Sequence, residues 1–181
     1  LAAIVGIGDD FPMNDSPEVY LRSPELLSRD DTRLLIVDVQ QKLIPHIVGA
    51  AEMIDRCRRL IEAAKLFGLP VTATEQYPQG LGRTVSPLVE LLDPPPEKLR
   101  FSSAEVLGWP PAAEQDDNRD KVIVAGIEAH VCVQQTALDL MSLGYRVYVP
   151  ADAVASRNRF DWEFALRRMA DDRARREAEE A

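Results

Sequence analysis

A continuous apolar run at residues 122–125, ended by Gly126, constrains this 181-residue chain more than any other stretch. A run of this kind, with no alternating polar residues, is typical of a strand buried on both faces of a parallel sheet. Apolar residues at helical spacing follow it, and a glycine then stands where helices commonly end: Val133, Ala137, Leu140, Met141 and Gly144. The stretch therefore predicts a buried strand that leads directly into a helix.

Cys132 lies at this junction, in the first turn of the predicted helix. Backbone N–H groups point outward there, and the positive end of the helix dipole favours an anion. A thiol in this position is expected to lose its proton more readily than a free thiol, and the thiolate is the nucleophilic form. The alternative is a buried structural cysteine. The position of Cys132 alone leaves both interpretations open.

The rest of the chain alternates between strand and helix patterns. Buried strands are predicted at residues 33–38, 70–74 and 146–150, a short edge strand at 98–102, and helices at 51–67 and 161–169. Residues 151–157 are predicted to continue the preceding strand into a loop. Cys57 falls on the apolar face of the first helix and is interpreted as structural. The alternation predicts an α/β fold, a doubly wound, mainly parallel sheet with helices on both faces.

Several polar residues follow predicted strands and should share the carboxyl edge of this sheet, where α/β folds place their sites. Asp38, Glu75 and Cys132 are placed near this edge, with His130 and Asp152 close by. A loop at residues 75–83, rich in glycine and polar groups, is longer than a simple turn requires. It is expected to line a pocket.

Composition limits the partners and the location of the chain. The formal net charge is -9, which argues against nucleic acid or an anionic membrane as a partner. Two widely separated cysteines, no apolar run of membrane-spanning length and no basic segment before an apolar one predict a reduced, cytoplasmic protein. One domain is predicted at residues 33–170, preceded by an arm at 1–32 and followed by a charged helical tail at 171–181.

Three separated residues, Asp38, Lys98 and Cys132, match a known family pattern. The matching pieces are LIVDVQ at 35–40, TEQY at 74–77 with GLG at 80–82, EK at 97–98 and AGIEAHVCV at 125–133. On these pieces the chain resembles the isochorismatase-like cysteine hydrolases, the group that includes nicotinamidases. The resemblance spans about residues 33–157 and is closest to uncharacterised isochorismatase-domain hydrolases.

The resemblance implies a role for each matching residue. Cys132 would be the nucleophile, Asp38 the general base and Lys98 the cation beside them. The backbone N–H groups of Glu128 and Cys132 would form the oxyanion hole, with a cis peptide between Ile127 and Glu128. The implied activity is hydrolysis of a C–N, amide-type bond of a small molecule through a thioester, with no cofactor. The implied assembly is a homo-oligomer.

Two departures from the family pattern limit what the resemblance implies. Nicotinamidases bind a metal through an Asp-x-His motif and further histidines, whereas the only histidines here are His46 and His130. No catalytic metal is therefore predicted, and nicotinamide becomes a poorer candidate substrate. Family members also continue, after the helix at 161–169, into a further strand. The charged tail here contains no such strand. Either the strand is lost or residues between Ala170 and the tail are omitted, and omission is favoured because a lost strand would expose a sheet edge. A sheet of five or six strands is expected.

Other activities stay open at this stage. The isochorismatase branch hydrolyses a vinyl ether and can work without a cysteine, so Cys132 with Lys98 favours amides. A non-catalytic binding or assembly protein that retains the fold is a second alternative. The predicted pocket residues are Gln76 as a polar contact and Tyr77, Phe101 and Trp109 as apolar walls. They do not identify a substrate.

Overall fold

The computed structural model describes residues 23–179, with the side chains described as far as residue 176. Its strands are β1 (Thr32–Val37), β2 (Val71–Gln76), β3 (Glu97–Lys98), β4 (Lys121–Ile127), β5 (Arg146–Tyr148) and β6 (Val154–Ala155). Its α-helices are α1 (Ala50–Phe67), α2 (Pro78–Leu81), α3 (Ala104–Leu107), α4 (Gln134–Ser142) and α5 (Arg159–Glu179). Short 3₁₀ turns occupy Ile44–His46, Val89–Leu91 and Ala112–Glu114, and a π-helical turn occupies Ala129–Val133.

The six strands of the described residues form one parallel sheet. The strand order is β3-β2-β1-β4-β5, and β6 pairs with β4 beyond the end of β5. The chain winds outward from β1 to β3 and then returns to the centre at β4, so the sheet is doubly wound. The predicted α/β class and the mainly parallel, five- or six-stranded sheet are confirmed.

Each face of the sheet is covered by helices, because the strand side chains alternate between two cores. On one face Leu34 and Ile36 of β1 pack with the buried stripe of α1, which consists of Met53, Cys57, Ile61 and Ala64. On the other face Leu35 and Val37 pack with α4 and α5. All four β1 side chains are at most 1% exposed. This double burial explains why β1 reads as an unbroken apolar run.

Cys57 lies within the α1 core, as predicted. It is fully buried, and its thiol donates to the carbonyl oxygen of Ala153 at 3.4 Å. Burial, together with the nearby Asp152 carboxylate, raises the pKa of Cys57 to about 12. A protonated, enclosed thiol of this kind contributes packing rather than reactivity.

Gly126 marks the closest approach between β1 and β4. It pairs with Val37, and a Cβ atom at this position would lie 2.1 Å from the Val37 carbonyl oxygen. Its φ of 122° is also a conformation that side-chain-bearing residues rarely adopt. The glycine is therefore required both by the backbone conformation and by the contact between the two central strands.

In the C-terminal third, one prediction is wrong and the bounds of one predicted helix differ from those observed. Residues 151–157 are not simply a loop, because Val154 and Ala155 form β6 and pair with Gly126 and Ile127. A strand of two residues is too short to show a sequence period. The helix predicted at 161–169 begins at Arg159 and continues unbroken to Glu179. The described part of the charged tail thus extends α5.

The described part of the N-terminal arm contacts the amino ends of the strands. The Lys121 ammonium donates to the carbonyl oxygen of Leu26 at 2.7 Å and to Asp31 at 2.9 Å. At the amino end of β5, the Arg146 guanidinium donates to the carbonyl oxygen of Pro24 at 2.8 Å. This segment therefore lies at the edge opposite to the carboxyl ends of the strands.

The predictions for residues 1–22 and 180–181 lie outside the described residues. No helix of the described chain is long and apolar enough to cross a membrane.

Candidate active site

Three strand ends bring Asp38, Lys98 and Cys132 together at the carboxyl edge of the sheet. Asp38 directly follows β1, Lys98 is the last residue of β3, and Cys132 lies in the π-helical turn after β4. They are 0%, 4% and 4% exposed, respectively. Residues that are far apart in the chain thus form one enclosed cluster, because parallel strands end at the same edge.

Asp38 and Lys98 form a buried ion pair. The Lys98 ammonium donates to Asp38 Oδ2 at 2.5 Å and also to the carbonyl oxygens of Arg100 at 3.1 Å and Phe101 at 2.8 Å. All three ammonium hydrogens therefore have acceptors, which a buried cation requires. The second Asp38 oxygen accepts from the Thr74 hydroxyl at 2.8 Å.

The environment of Asp38 makes its carboxylate more basic than that of a surface aspartate. Burial raises the pKa of Asp38, although the Lys98 charge and hydrogen bonds from Lys98, Cys132 and Thr74 act in the opposite direction. A more basic carboxylate accepts a proton more readily, which suits a general base. Its backbone adopts φ 51°, and its carbonyl accepts from the Gln40 N–H at 2.8 Å. β1 therefore ends in a turn that begins at Asp38, the candidate general base.

The Cys132 thiol is protonated in this environment, contrary to the expectation from its position. Burial raises the pKa of Cys132 above that of a free thiol, and the Asp38 carboxylate raises it further. The Lys98 charge and a backbone hydrogen bond from Glu128 act in the opposite direction without outweighing burial. The prediction of an easily ionised thiol is therefore wrong for the resting site. Deprotonation requires a base beside the thiol, and Asp38 is close enough that each group shifts the pKa of the other.

The backbone around Cys132 departs from a regular helix. Cys132 lies in the π-helical turn Ala129–Val133, and α4 begins only at Gln134. π-Helical turns are rare and often occur at functional sites. The peptide bond between Ile127 and Glu128 is cis, as the resemblance implies, and the Glu128 backbone hydrogen-bonds to the Cys132 sulfur. The Glu128 N–H is therefore directed toward the candidate nucleophile.

Gln76 and Gln40 form an amide network beside the thiol. Cys132 Sγ donates to Gln76 Oε1 at 3.2 Å. The Gln40 side chain is fully buried, accepts from the Gln76 N–H at 2.8 Å and donates to the Gln76 carbonyl at 3.0 Å. These two hydrogen bonds with the Gln40 side chain hold the backbone of Gln76 in place beside the thiol. Gln40 belongs to the matching family pattern, but the pattern alone indicates no role for it.

Further polar residues support the ion pair without having been predicted. The Thr74 hydroxyl lies 3.1 Å from the Ser103 hydroxyl, and the Ser103 N–H donates to the Thr136 hydroxyl at 2.9 Å. All three residues are at most 1% exposed. A single threonine or serine gives no sequence signal of its own, because these residues are also common in turns.

The four predicted pocket residues do not all reach the site. Gln76 contacts Cys132, as described. The Tyr77 N–H donates to the Lys98 carbonyl at 2.8 Å, and the Phe101 carbonyl accepts from the Lys98 ammonium. The side chains of Tyr77 and Phe101 are 52% and 49% exposed, so both flank the buried cluster from the solvent side.

The prediction for Trp109 is wrong. The Arg33 guanidinium lies 4.5 Å from the centroid of the Trp109 ring, and the Tyr145 ring centroid lies 5.9 Å from it. Arg33 is at the amino end of β1, about 16 Å along the strand from Asp38 at about 3.3 Å per residue. The tryptophan therefore packs at the opposite edge of the sheet.

The remaining predicted edge residues have structural partners. Glu75 is 1% exposed and accepts hydrogen bonds from Arg83 and Thr84. Asp152 forms an exposed ion pair with Arg56, and His46 is exposed at the end of a 3₁₀ turn.

His130 Nδ1 lies 3.0 Å from the Ser156 hydroxyl. Within residues 23–179, no group of three or more histidine, cysteine, aspartate and glutamate residues could hold a metal ion.

Arg157 is a partner of the site that the sequence did not indicate. It forms an ion pair with the Glu128 carboxylate, with an Nη2–Oε1 distance of 2.6 Å. The Glu128 side chain is 8% exposed, whereas that of Arg157 is 52% exposed. Hydrogen bonds from Arg157 lower the pKa of Glu128 even though burial alone would raise it. Glu128 is therefore an anion held at the edge of the candidate site.

Comparison with known proteins matches this site and fold to one family. The family model described as Isochorismatase domain matches residues 32–176. Isochorismatase domain-containing protein 1 of Salmo salar is 39% identical over 137 residues, covering 74% of this chain and 47% of that protein. Isochorismatase domain-containing protein 2 of Homo sapiens is 37% identical over 140 residues, covering 75% of this chain and 65% of that protein.

Solved structures show the same similarity. The structure described as MAR1 ribonuclease from Caenorhabditis elegans is 40% identical, with a TM-score of 0.72 over 81% of this chain and 76% of that chain. The chain spans about half the length of the Salmo salar relative and about two thirds of the Homo sapiens relative. The match therefore concerns the domain that contains Asp38, Lys98 and Cys132.

Proposed function

The chain belongs to the isochorismatase family, and on that premise we propose that it is a metal-independent cysteine hydrolase of a small amide. The observation that carries this proposal is one buried thiol, Cys132, close enough to one buried carboxylate, Asp38, for each to shift the pKa of the other, with Asp38 paired to Lys98 at 2.5 Å. A nucleophile in contact with a base, and a base oriented by a third group, is the arrangement that covalent catalysis requires.

The first half of the reaction forms a thioester. Asp38 accepts the Cys132 proton as the sulfur attacks the amide carbon, so that no free thiolate accumulates in the buried site. The carbonyl oxygen becomes an oxyanion, which the N–H groups of Glu128 and Cys132 stabilise by a few kcal/mol. Asp38 then gives its proton to the departing nitrogen. The C–N bond breaks, and the acyl group remains on the sulfur.

The second half of the reaction releases the acid. Asp38, again ionised, accepts a proton from a water molecule as the water oxygen attacks the thioester carbon. The same N–H groups stabilise the second oxyanion. The C–S bond breaks, and the proton held by Asp38 returns to the Cys132 sulfur. Lys98 orients the Asp38 carboxylate, while two backbone carbonyl oxygens accept its other ammonium hydrogens.

Two features support an uncharged reacting group in the substrate. The charges of Asp38 and Lys98 cancel each other, and the Lys98 ammonium is fully occupied by protein acceptors. The Gln76 side-chain amide, which contacts the thiol, offers neutral donors and an acceptor. A carboxamide or carbamoyl group is therefore proposed as the substrate's reacting end.

Screening a library of amides and carbamoyl compounds for ammonia release tests the proposal. Activity that depends on Cys132 would support it. Activity only toward vinyl ethers, retained by Cys132→Ala, would favour the isochorismatase-type reaction. RNA belongs in the same screen, because the C. elegans relative is described as a ribonuclease. RNA cleavage that survives Cys132→Ala would contradict the proposal.

Thiol labelling separates an enzyme from a non-catalytic binding or assembly protein. Brief treatment with iodoacetamide, followed by mass spectrometry of the peptides, should modify Cys132 in preference to Cys57. Cys57 has no carboxylate base in contact with its sulfur, which instead donates to a backbone carbonyl. Equal or absent labelling of both cysteines would favour the non-catalytic alternative. A cytoplasmic location and a homo-oligomeric assembly remain predictions, and light scattering tests the latter.

A further inference from the structure

Arg157 makes four hydrogen bonds to one carboxylate. Its Nε donates to Glu128 Oε1 at 3.2 Å and to Oε2 at 3.0 Å, its Nη2 donates to Oε1 at 2.6 Å, and its backbone N–H donates to Oε2 at 3.1 Å. A planar guanidinium bound in this forked manner fixes the orientation of its partner as well as its distance. The Glu128 side chain is thus held from both the side chain and the backbone of one residue.

A second contact joins the same two segments. His130 Nδ1 lies 3.0 Å from the hydroxyl of Ser156, the residue before Arg157. Ser156 is 2% exposed, and its carbonyl accepts from the Val48 N–H at 3.2 Å. The segment of Ser156 and Arg157 is itself anchored, because β6 pairs with the end of β4 through Ile127 and Ala155.

The residue that Arg157 holds is also the residue whose backbone faces the thiol. The Glu128 backbone hydrogen-bonds to Cys132, and the Glu128 carbonyl accepts the N–H groups of Val131 at 3.0 Å and Val133 at 3.2 Å. An oxyanion donor is effective only within about 2.7–3.1 Å of the developing charge. A rotation of Glu128 would therefore remove its N–H from the reacting oxygen.

We propose that Arg157 is a positioning residue that orients the Glu128 N–H toward the oxyanion of the Cys132 reaction. The proposal rests on the function proposed above. Arg157 acts through Glu128, because the Glu128 carboxylate engages both its Nε and its Nη2 groups. Its loss should slow reactions that pass through an oxyanion and spare thiol reactions that do not.

Two probes of Cys132 separate these effects. With 4-nitrophenyl acetate, the sulfur bonds to the acetyl carbon through an oxyanion, the ester C–O bond breaks, 4-nitrophenolate leaves, and Asp38 receives the thiol proton. With iodoacetamide, the sulfur displaces iodide without an oxyanion, and Asp38 again receives the proton. Both rates are measured on the full chain, with Cys132→Ala as the background.

Arg157→Gln should lower the acetylation rate at least roughly tenfold, as expected for an impaired oxyanion donor, and leave the iodoacetamide rate within about twofold. Arg157→Lys should retain part of the acetylation rate, because lysine keeps the charge but not the fork. Glu128→Gln should reproduce the selective loss. Arg146→Gln is the matched control. That arginine also donates Nε and Nη2, at 3.0 and 2.5 Å, to one carboxylate, Asp120, but at the amino end of β5.

Each alternative outcome has a distinct meaning. If Cys132 of the unmodified chain does not react with the ester, the proposed function fails and the inference fails with it. If it reacts and Arg157→Gln reacts equally fast, only the inference is overturned. The same holds if both probes slow to the same extent, because Arg157 would then act on the thiol or on the fold. If Arg157→Gln does not fold, the ratio of the two rates in Arg157→Lys decides the question.

Discussion

The Lys98 ammonium lies 2.5 Å from Asp38 Oδ2, and the side chains are 1% and 0% exposed, respectively. Removing the lysine would leave a carboxylate buried beside an uncharged pocket. We expect Lys98→Met to lower the free energy of unfolding by about 3–5 kcal/mol at pH 7. Urea unfolding measures this loss, and it should shrink at acidic pH as Asp38 takes up a proton.

Lys121→Met provides the control for this prediction. Lys121 is also buried, but its partner Asp31 is 28% exposed in its side chain and lies at the opposite edge of the sheet. Water can solvate Asp31 after the substitution, so its loss should be smaller. Equal losses in the two variants would contradict the special cost assigned to Asp38. The double change Lys98→Met with Asp38→Asn should recover part of the stability.

The pH dependence of Cys132 reactivity should report Asp38. Burial raises the pKa of Asp38, so the carboxylate that serves as base is lost as the pH falls through a value above the ordinary one of about 3.9. We expect the iodoacetamide rate to decrease on this acid limb. Thr74→Val removes a hydrogen bond that favours the carboxylate and should move the limb to higher pH. If the iodoacetamide rate falls at the same pH in the unmodified chain and in Thr74→Val, Asp38 is not the base.

Cys132→Ala should abolish turnover while preserving the fold. Losing the nucleophile should cost at least about 10³-fold in rate, because the covalent route is closed. The side chain is small and lies at the edge of the core, so the thermal unfolding midpoint should change little. Cys57→Ala is the control with the opposite pattern, since its thiol lies in the α1 core. Near-normal turnover of Cys132→Ala would exclude the thioester mechanism.

Glu75 should stabilise the chain only in its ionised form. Burial would raise the pKa of Glu75, but hydrogen bonds from Arg83 and Thr84 outweigh it and lower the pKa. Since the folded pKa lies below the unfolded one, this stabilisation is present above about pH 4.3 and is lost as the pH falls through the folded pKa. We expect Glu75→Gln to cost about 1–3 kcal/mol at pH 7 and less near pH 4.

Glu97→Gln is the matched control for Glu75. Glu97 accepts from the same Arg83 nitrogen at 2.7 Å, but its side chain is 43% exposed. Its amide variant should unfold in urea nearly as the unmodified chain does at both pH values. A pH-independent loss in Glu75→Gln would show that packing, rather than charge, makes Glu75 important.

Activity on the substrate found by screening should survive prolonged dialysis against EDTA. The prediction follows from the residues around Cys132, where the thiol and the Asp38 carboxylate account for each proton transfer on the protein. The ring of His130 is within hydrogen-bond distance of the Ser156 hydroxyl, and His46 lies in a separate exposed turn. Activity that is lost in EDTA and restored only by zinc or iron would show a metal requirement.

Asp38 and Cys132 could be located from the apolar runs that precede them. Lys98 could be placed only through the family motif, because β3 is two residues long and the strand predicted at 98–102 was wrong. Buried parallel strands leave a plain sequence signal, and their carboxyl ends must meet. Trp109 was misplaced because it lies on an irregular segment, where no period indicates a direction. β6 was missed because two residues carry no period at all.

The electrostatic prediction failed for a different reason. The position of Cys132 after a strand indicates backbone N–H groups, but not how deeply the sulfur is buried or that Asp38 lies beside it. Arg157 escaped notice because an exposed arginine is usually a solvated surface residue, and its partner Glu128 is 29 positions away. Such pairings depend on the register between β4 and β6, which the sequence does not show.

The close approach at Gly126 has a consequence for how this domain can vary. Gly126 pairs with Val37, the residue before the base, and lies two positions before Glu128, whose backbone faces the nucleophile. A methyl group here would meet the Val37 carbonyl at 2.1 Å and would have to push the two strands apart. The small size of the glycine side chain, a single hydrogen atom, therefore determines the distance between Asp38 at the end of β1 and the oxyanion site after β4. Substrate preference can diverge through the exposed loops around Tyr77 and Phe101. At position 126, any other residue would change the distance between Asp38 and the Glu128 backbone.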